Sequence, residues 1–309
     1  MTPEEIKSTI IKGVRKHELN FKDSNSFYLD DYDLKDSLRI DGDIVYNFVI
    51  NAFKDVVFIP VVGINRTPKR IKSVSSKLIQ SETIAIRVDQ EDFSSYEVNK
   101  DYFEDLFDSI SDKYKKYHLI IDCRLCLNID TNLISDRAIK FILDISENYD
   151  FEEIIVTGSS IPAGINEIMP VNSKRDLTRN ECMIYKRVQK ALGDKVTIGD
   201  YTTVSPDYSD ADIPKNAMRK VMTPKVIYPY GLNQYFLRGA ALETHPRGTK
   251  QYDDMCLELT KMPFFRKEAY SAGDAYLVSK AKGIGVDAQP HSIGKHLINA
   301  HITFMLHDF

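Results

Sequence analysis

The chain has 309 residues, 43% of them hydrophobic and 28% charged, with a formal net charge of −4. That length buries a large core in one domain, and the lack of any surplus of Lys and Arg argues against nucleic acid as a bulk partner. The apolar runs are strand-sized, well short of the roughly 20 residues of a membrane span; the N-terminus carries no apolar leader, so a cytoplasmic location is expected; and the irregularly spaced Cys residues do not make a disulfide framework.

Thr2-Pro3-Glu4-Glu5 reads as a helix start, with a hydroxyl cap, Pro at the first helical position and acids at the positive end of the dipole. Ile6, Ile10, Ile11 and Val14 supply its apolar stripe. A strand is expected over 26–30, a helix over 41–53, a strong strand over 56–62 and a helix over 68–78. Strands at 83–88, 119–122, 153–157 and 195–200 then alternate with helices at 99–114, 135–147 and 178–192. After Tyr201 the rhythm changes: a loop over 205–224, an antiparallel hairpin over about 225–239, and helices at 251–261, 271–280 and 292–297. A closing strand is expected over 301–306.

Leu119-Ile120-Ile121-Asp122 shows the organising pattern. Three apolar residues without alternation suit a strand buried on both faces, and an ionised Asp belongs at its exit rather than in that interior. Asp30, Arg87 and Asp200 end other expected strands in the same way. Strands that each deliver a polar group at the C-terminal end predict an α/β fold, a TIM-like βα barrel forming a single domain over 1–309.

The ordered segments FYLDDYDL, DGDIVYNFV, FIPVVGINRTP, IAIRVDQEDF, LIIDC, IGDYTTVSP, FLRG, KQYDDMCLELTKMPFF, SAGDAYL and NAHITFML run from about Phe27 to Leu306. Together they resemble the beta proteins of temperate and satellite phages and prophage islands. The resemblance implies a barrel-like α/β fold, a cytoplasmic setting in the host cell, and a role in phage–host conflict: anti-phage defence or neutralisation of a toxic partner encoded nearby. Position by position, the family's polar marks fall on Asp30, Arg87, Asp122, Asp200, Tyr201, Arg238, Gln251, Tyr252, Asp274, Asn299 and His301. Two departures stand out. Ile293 occupies a position where an aromatic is usual, and relatives open with a further strand ahead of the first helix. Either the barrel is gapped, or this sequence omits the strand, or another chain supplies it; an open seam exposes strand edges to a second copy or partner.

Three chemical readings follow for the expected barrel mouth. Asp30, Asp122 and Asp200 together are material for a divalent-cation site, Mg or Mn, or for an acid/base pair, which would make a metal-dependent phosphoester hydrolase. Their bland alternative is helix capping or pairing with arginines. Arg87, Arg124 and the Arg66 to Arg70 loop suit a small anionic or nucleotide ligand, with charge balance for the carboxylates as the alternative. The third reading is an aromatic surface of Tyr228, Tyr230 and Tyr235 on the hairpin, with Arg238 nearby, to stack a base or bind a protein partner; its alternative is that the rings are core. Gly158-Ser159-Ser160 lacks the rest of a phosphate-binding loop, and Cys123-Arg-Leu-Cys126 lacks a second pair for zinc, so turn and core roles are expected. Ser159, Ser160 and His301 have no nucleophile-elbow context and do not make a hydrolase triad.

Overall fold

The computed structural model describes residues 2–21, 27–207 and 218–309. In chain order the elements are α1 (Pro3–Asn20), β1 (Phe27–Leu29), β2 (Arg39–Ile40), β3 (Asp43–Ile44), α2 (Val45–Ala52), β4 (Phe58–Val62), α3 (Pro68–Val74), β5 (Thr83–Val88), α4 (Tyr96–Ile110), β6 (Lys116–Leu125), α5 (Thr131–Ser146) and β7 (Glu153–Ser159). There follow β8 (Ser173–Thr178), α6 (Asn180–Leu192), β9 (Val196–Ile198), α7 (Met218–Val221), β10 (Lys225–Tyr230), β11 (Asn233–Arg238), α8 (Gln251–Leu259), α9 (Ala272–Ala281) and α10 (Pro290–His307). Two compact units share the chain: Met1–Asp122, Asn132–Val156 and Arg187–Ile198 form one; Cys123–Thr131, Thr157–Lys186 and Gly199–Phe309 form the other.

The first unit is built on a parallel sheet in the order β1-β4-β5-β6-β7-β9, curled like half a barrel. The α/β expectation holds at this level; β1 and β9 are the sheet's two edges among the described residues. Registers align Tyr28 with Ile59, Val61 with Ala85, Ala85 with His118, and Ile155 with Thr197. Side chains alternate along a strand, so one face reads in three layers. At the strand starts lie Tyr28, His118, Glu153 and Thr197, where the Tyr28 hydroxyl is 2.7 Å from His118 Nδ1 and Thr197 donates to Glu153 at 2.9 Å. In the middle Ile59, Val61, Ala85, Ile120 and Ile155 pack as one apolar cluster. Toward the C-terminal ends come Asp30, Arg87 and Asp122, the last of them still inside β6, which runs on to Leu125. The opposite faces of the central strands, with Ile84, Ile86, Leu119 and Ile121, are fully buried. The inner sides of α4 (Phe103, Leu106, Phe107) and α5 (Ala138, Phe141, Ile142) are buried too, with Phe103 and Phe141 rings 5.6 Å apart.

α1 begins at the expected Thr2 cap, which Glu5 completes as a capping box, yet none of its residues is fully buried. α2 starts later than expected, because Asp41 and Gly42, with φ of 52° and 85°, make the tight turn between β2 and β3. The strand expected over 26–30 and the loop expected over 205–224 fall partly outside the described residues.

The second unit carries an antiparallel sheet, β10-β11-β8. β10 and β11 are the expected hairpin. β8, SKRDLT, was hidden in sequence: among the described residues it pairs only with β11, and most of its side chains face outward, so no apolar alternation is required of it. Tyr228 and Tyr235 lie opposite each other and are buried with Tyr252, Met255, Leu259, Leu277, Ile293 and Leu297. The hairpin rings are therefore core, not a stacking surface, although Tyr230 is half-exposed and stacks on Phe264 at 3.9 Å. The strand expected over 301–306 is a correction: it is the end of α10. Ile293, Leu297, Ala300 and Phe304 bury at spacings of four, three and four, which is a helix period.

Candidate functional site

β1, β5 and β6 run parallel in register, so their C-terminal polar residues converge. Arg87 donates through Nη1 to Asp30 Oδ2 at 2.6 Å, and through Nε (3.1 Å) and Nη2 to Asp122 Oδ2. Asp30 Oδ1 accepts from Arg66 Nη2 at 3.1 Å, so its carboxylate bridges two guanidinium groups. The Tyr32 ring lies 3.9 Å from the Arg87 guanidinium and 4.6 Å from that of Arg66, and its hydroxyl donates to Asp89 at 2.9 Å. Asp122 is fully buried, while the Asp30 side chain keeps 18% exposure. A buried carboxylate is tolerable here because a guanidinium faces it.

A second tier surrounds this network. Asp31 pairs with Arg70 at 3.1 Å, and Asp92 accepts from the Asp89 backbone N–H at 3.1 Å and from Asn65 at 3.3 Å. Burial pushes the Asp31 carboxyl up to about 6 against the pull of Arg70 and Arg66. Burial, helped by the neighbouring Asp89 charge, does the same to Asp92, also about 6. Carboxyls that exchange protons near neutrality at strand ends mark this rim as the place to look for function.

The divalent-ion reading does not fit these donors. The oxygens of Asp30, and the Asp122 oxygen facing the same centre, are engaged by Arg87 and Arg66, and a guanidinium occupies the place between them. Among the described residues no group of three His, Cys, Asp or Glu side chains is arranged to hold a metal.

Asp200 is not part of that network. It belongs to the second unit, where Oδ2 accepts from Arg179 Nη2 at 2.8 Å and lies 2.6 Å from His301 Nε2, and Oδ1 accepts from the Thr202 N–H at 2.8 Å. Burial alone would raise the Asp200 carboxyl; the hydrogen bond and charge of His301, with Arg179, pull it below its usual range. Arg179 also holds Glu181 at 3.1 Å, and Ser160 donates to Glu181 at 2.6 Å rather than to a histidine. Burial raises the Glu181 carboxyl despite Arg179.

The remaining expected residues are spread through the second unit as structural ties. Asp274 is buried and accepts from Tyr228 at 2.5 Å; Asn299 accepts from the Gly273 N–H at 2.7 Å; Gln251 clasps both backbone groups of Ala240. Tyr252 is core, Arg238 donates to the Met169 carbonyl at 2.5 Å, Arg124 pairs with Asp207 at 2.8 Å, and Tyr201 is half-buried beside Asp200. Cys123 and Cys126 are buried, and a Cβ on Gly158 would come within 2.8 Å of Cys126 Sγ, so that glycine serves packing. Asp31, Tyr32, Asp92, Arg179 and Glu181 were not singled out in the sequence. Asp31 and Tyr32 adjoin Asp30, the one signal available; nothing about the spacing of the others announces a partner.

A family model described as Beta protein matches residues 2–307. The chain belongs to the beta protein family. No curated protein and no solved structure matches it. Among the described residues of this beta protein, no helix is long and apolar enough to cross a membrane.

Proposed function

We propose that this beta protein is a phage- or prophage-encoded accessory protein of the host cytoplasm that acts in phage–host conflict by binding rather than by metal-dependent hydrolysis. It would engage a protein partner encoded nearby, or a small anionic or nucleotide ligand, at the mouth of a TIM-like barrel to which the parallel strand ends belong. The conflict setting follows the family resemblance. The binding mode rests on one observation: the Asp30 carboxylate places one oxygen on Arg66 and the other on Arg87, at 3.1 and 2.6 Å. Two guanidinium forks converging on one anion is the arrangement that recognises phosphate or carboxylate. Asp30 is the most exposed member of the triad, so an incoming anion replaces it without unpairing buried Asp122.

The test is anion-dependent stabilisation. Inorganic phosphate and ATP are titrated by calorimetry and thermal shift against the wild type and Asp30→Asn. Removing the resident anion is expected to strengthen binding by roughly tenfold. If neither anion binds the wild type or Asp30→Asn, the anionic-ligand reading falls. Phage plating on hosts expressing either protein tests the conflict role separately, and plating unchanged by the wild type across a phage panel would remove it.

A further inference from the structure

α4 presents an exposed face made almost entirely of acids. Glu97, Asp101, Glu104, Asp105 and Asp108 all point to solvent, and the only cation of this helix, Lys100, meets Glu104 at 3.9 Å. Residues four apart on a helix are neighbours, so Glu97 faces Asp101, Asp101 faces Asp105, and Glu104 faces Asp108 as like charges. Asp108 also lies in the last turn, where the helix dipole disfavours an anion. Glu97, in the first turn, suits the dipole, but the acids that follow it along this face repel one another.

Beside it runs an apolar groove of about 550 Å³ between α3 and α4. Ile64, Pro68 and Ile71 form one wall, Tyr102 and Leu106 the other, with Asp105 on the α4 lip and Lys72 on the α3 lip; Ser75, Ser109 and Arg66, whose charge is held by Asp30, complete the lining. Tyr102 is 63% exposed and Val98, one turn earlier on the same helix, is 76% exposed. Large apolar side chains this open, next to a groove, mark an interaction surface. Among the occupants such a groove accepts, charge selects one. A nucleic acid or another acidic surface would be repelled by α4, whereas a cationic segment would relieve the helix's self-repulsion.

We propose that the α3–α4 groove docks a basic amphipathic segment of a protein partner, its apolar side chains entering between Ile71 and Tyr102 and its Lys and Arg residues facing the acids of α4. This is helix-in-groove recognition, with charge setting orientation and encounter rate. Lys72 on the far lip fixes which edge carries the partner's cations. The surface shares Arg66 with the strand-end network, where Asp30 holds its guanidinium, but neither Asp30 nor Arg87 lines the groove.

The probe is a short labelled peptide of leucine and lysine at helical spacing, compared by fluorescence anisotropy with its leucine–glutamate counterpart. The cationic peptide is expected to bind, and to bind more weakly as salt is raised. Asp101→Lys with Asp105→Lys is expected to weaken it by roughly tenfold or more, and Tyr102→Ser severalfold. Glu243→Lys with Asp287→Lys, exposed acids of the other unit, makes the same change in net charge and is expected to leave binding unaltered. All are surface positions, and melting curves confirm folding. Equal weakening by both charge-reversal pairs, equal binding of the glutamate peptide, or failure of the cationic peptide to bind would each overturn the proposal.

Discussion

At the scale of the residue, Arg87 carries the largest consequence. Its side chain is 13% exposed and its guanidinium faces the fully buried Asp122. Removing one member of a buried pair leaves the other uncompensated, at a cost of about 3–5 kcal/mol. Arg87→Leu is therefore expected to lower unfolding free energy by that order in urea titrations. Arg87→Leu combined with Asp122→Leu is expected to recover more than half of the loss, because a matched apolar pair asks for no counter-charge. Additive losses would show that the pair is not coupled. Asp122 was expected at a strand exit, but β6 runs on to Leu125 and buries it fully; a paired cation, not exposure, is what makes its charge tolerable there. Which cation was not readable. Arg87 lies 35 residues away, and only the parallel register of β5 with β6 brings the two together.

At the scale of the element, the same physics explains which parts of the fold were legible. β4, β5 and β6 are buried on both faces, and burial on both faces forces uninterrupted apolar letters. β8 bonds through its backbone and exposes its side chains, so its letters are free to look like a loop. α10 misled because Ala300, His301 and Phe304 sit among β-prone neighbours, and only the longer period back to Ile293 reveals a helix. α10 also crosses α9 at its closest where Gly273 stands. A Cβ there would lie 2.2 Å from the His296 carbonyl oxygen and 2.7 Å from the Ala300 nitrogen, both backbone atoms. Gly273→Ala gains up to about 1 kcal/mol of helix propensity but must push two helices apart. A net loss of roughly 2–3 kcal/mol is expected. Gly294→Ala, in α10 with nothing within 4 Å of its Cβ, is expected to show the propensity gain alone. Thermal melts of the two variants side by side decide the matter: similar shifts would mean the α9–α10 crossing is not limiting.

At the scale of the whole molecule, acidity acts on different carboxyls in opposite directions. In the first unit Asp31 and Asp92 bind their protons more tightly when folded, with carboxyls near 6. The stability they contribute is complete below the ordinary carboxylate range and is lost as pH rises through about 6. In the second unit Asp200 is held below its ordinary value by His301 and Arg179. Its contribution is present at neutral pH and is lost only as pH falls through the low carboxylate range. Mild acid should therefore suit the whole chain better than either extreme. For Asp92, a shift of about two units corresponds to roughly 2–3 kcal/mol across that window. Unfolding free energies of the wild type and Asp92→Asn, measured from pH 4 to pH 7.5, report this group together with the acids coupled to it, Asp89 first, because titrations elsewhere cancel in the difference. The wild type's stability relative to the variant is expected to fall by that order between pH 4 and pH 7, then level off. Asp200→Asn is expected to be less stable than the wild type at neutral pH and to converge on it as pH falls through the low carboxylate range. A flat difference for Asp92→Asn would mean that its carboxyl ionises as freely in the folded chain as in the unfolded one, and the strand-end rim would lose its near-neutral proton.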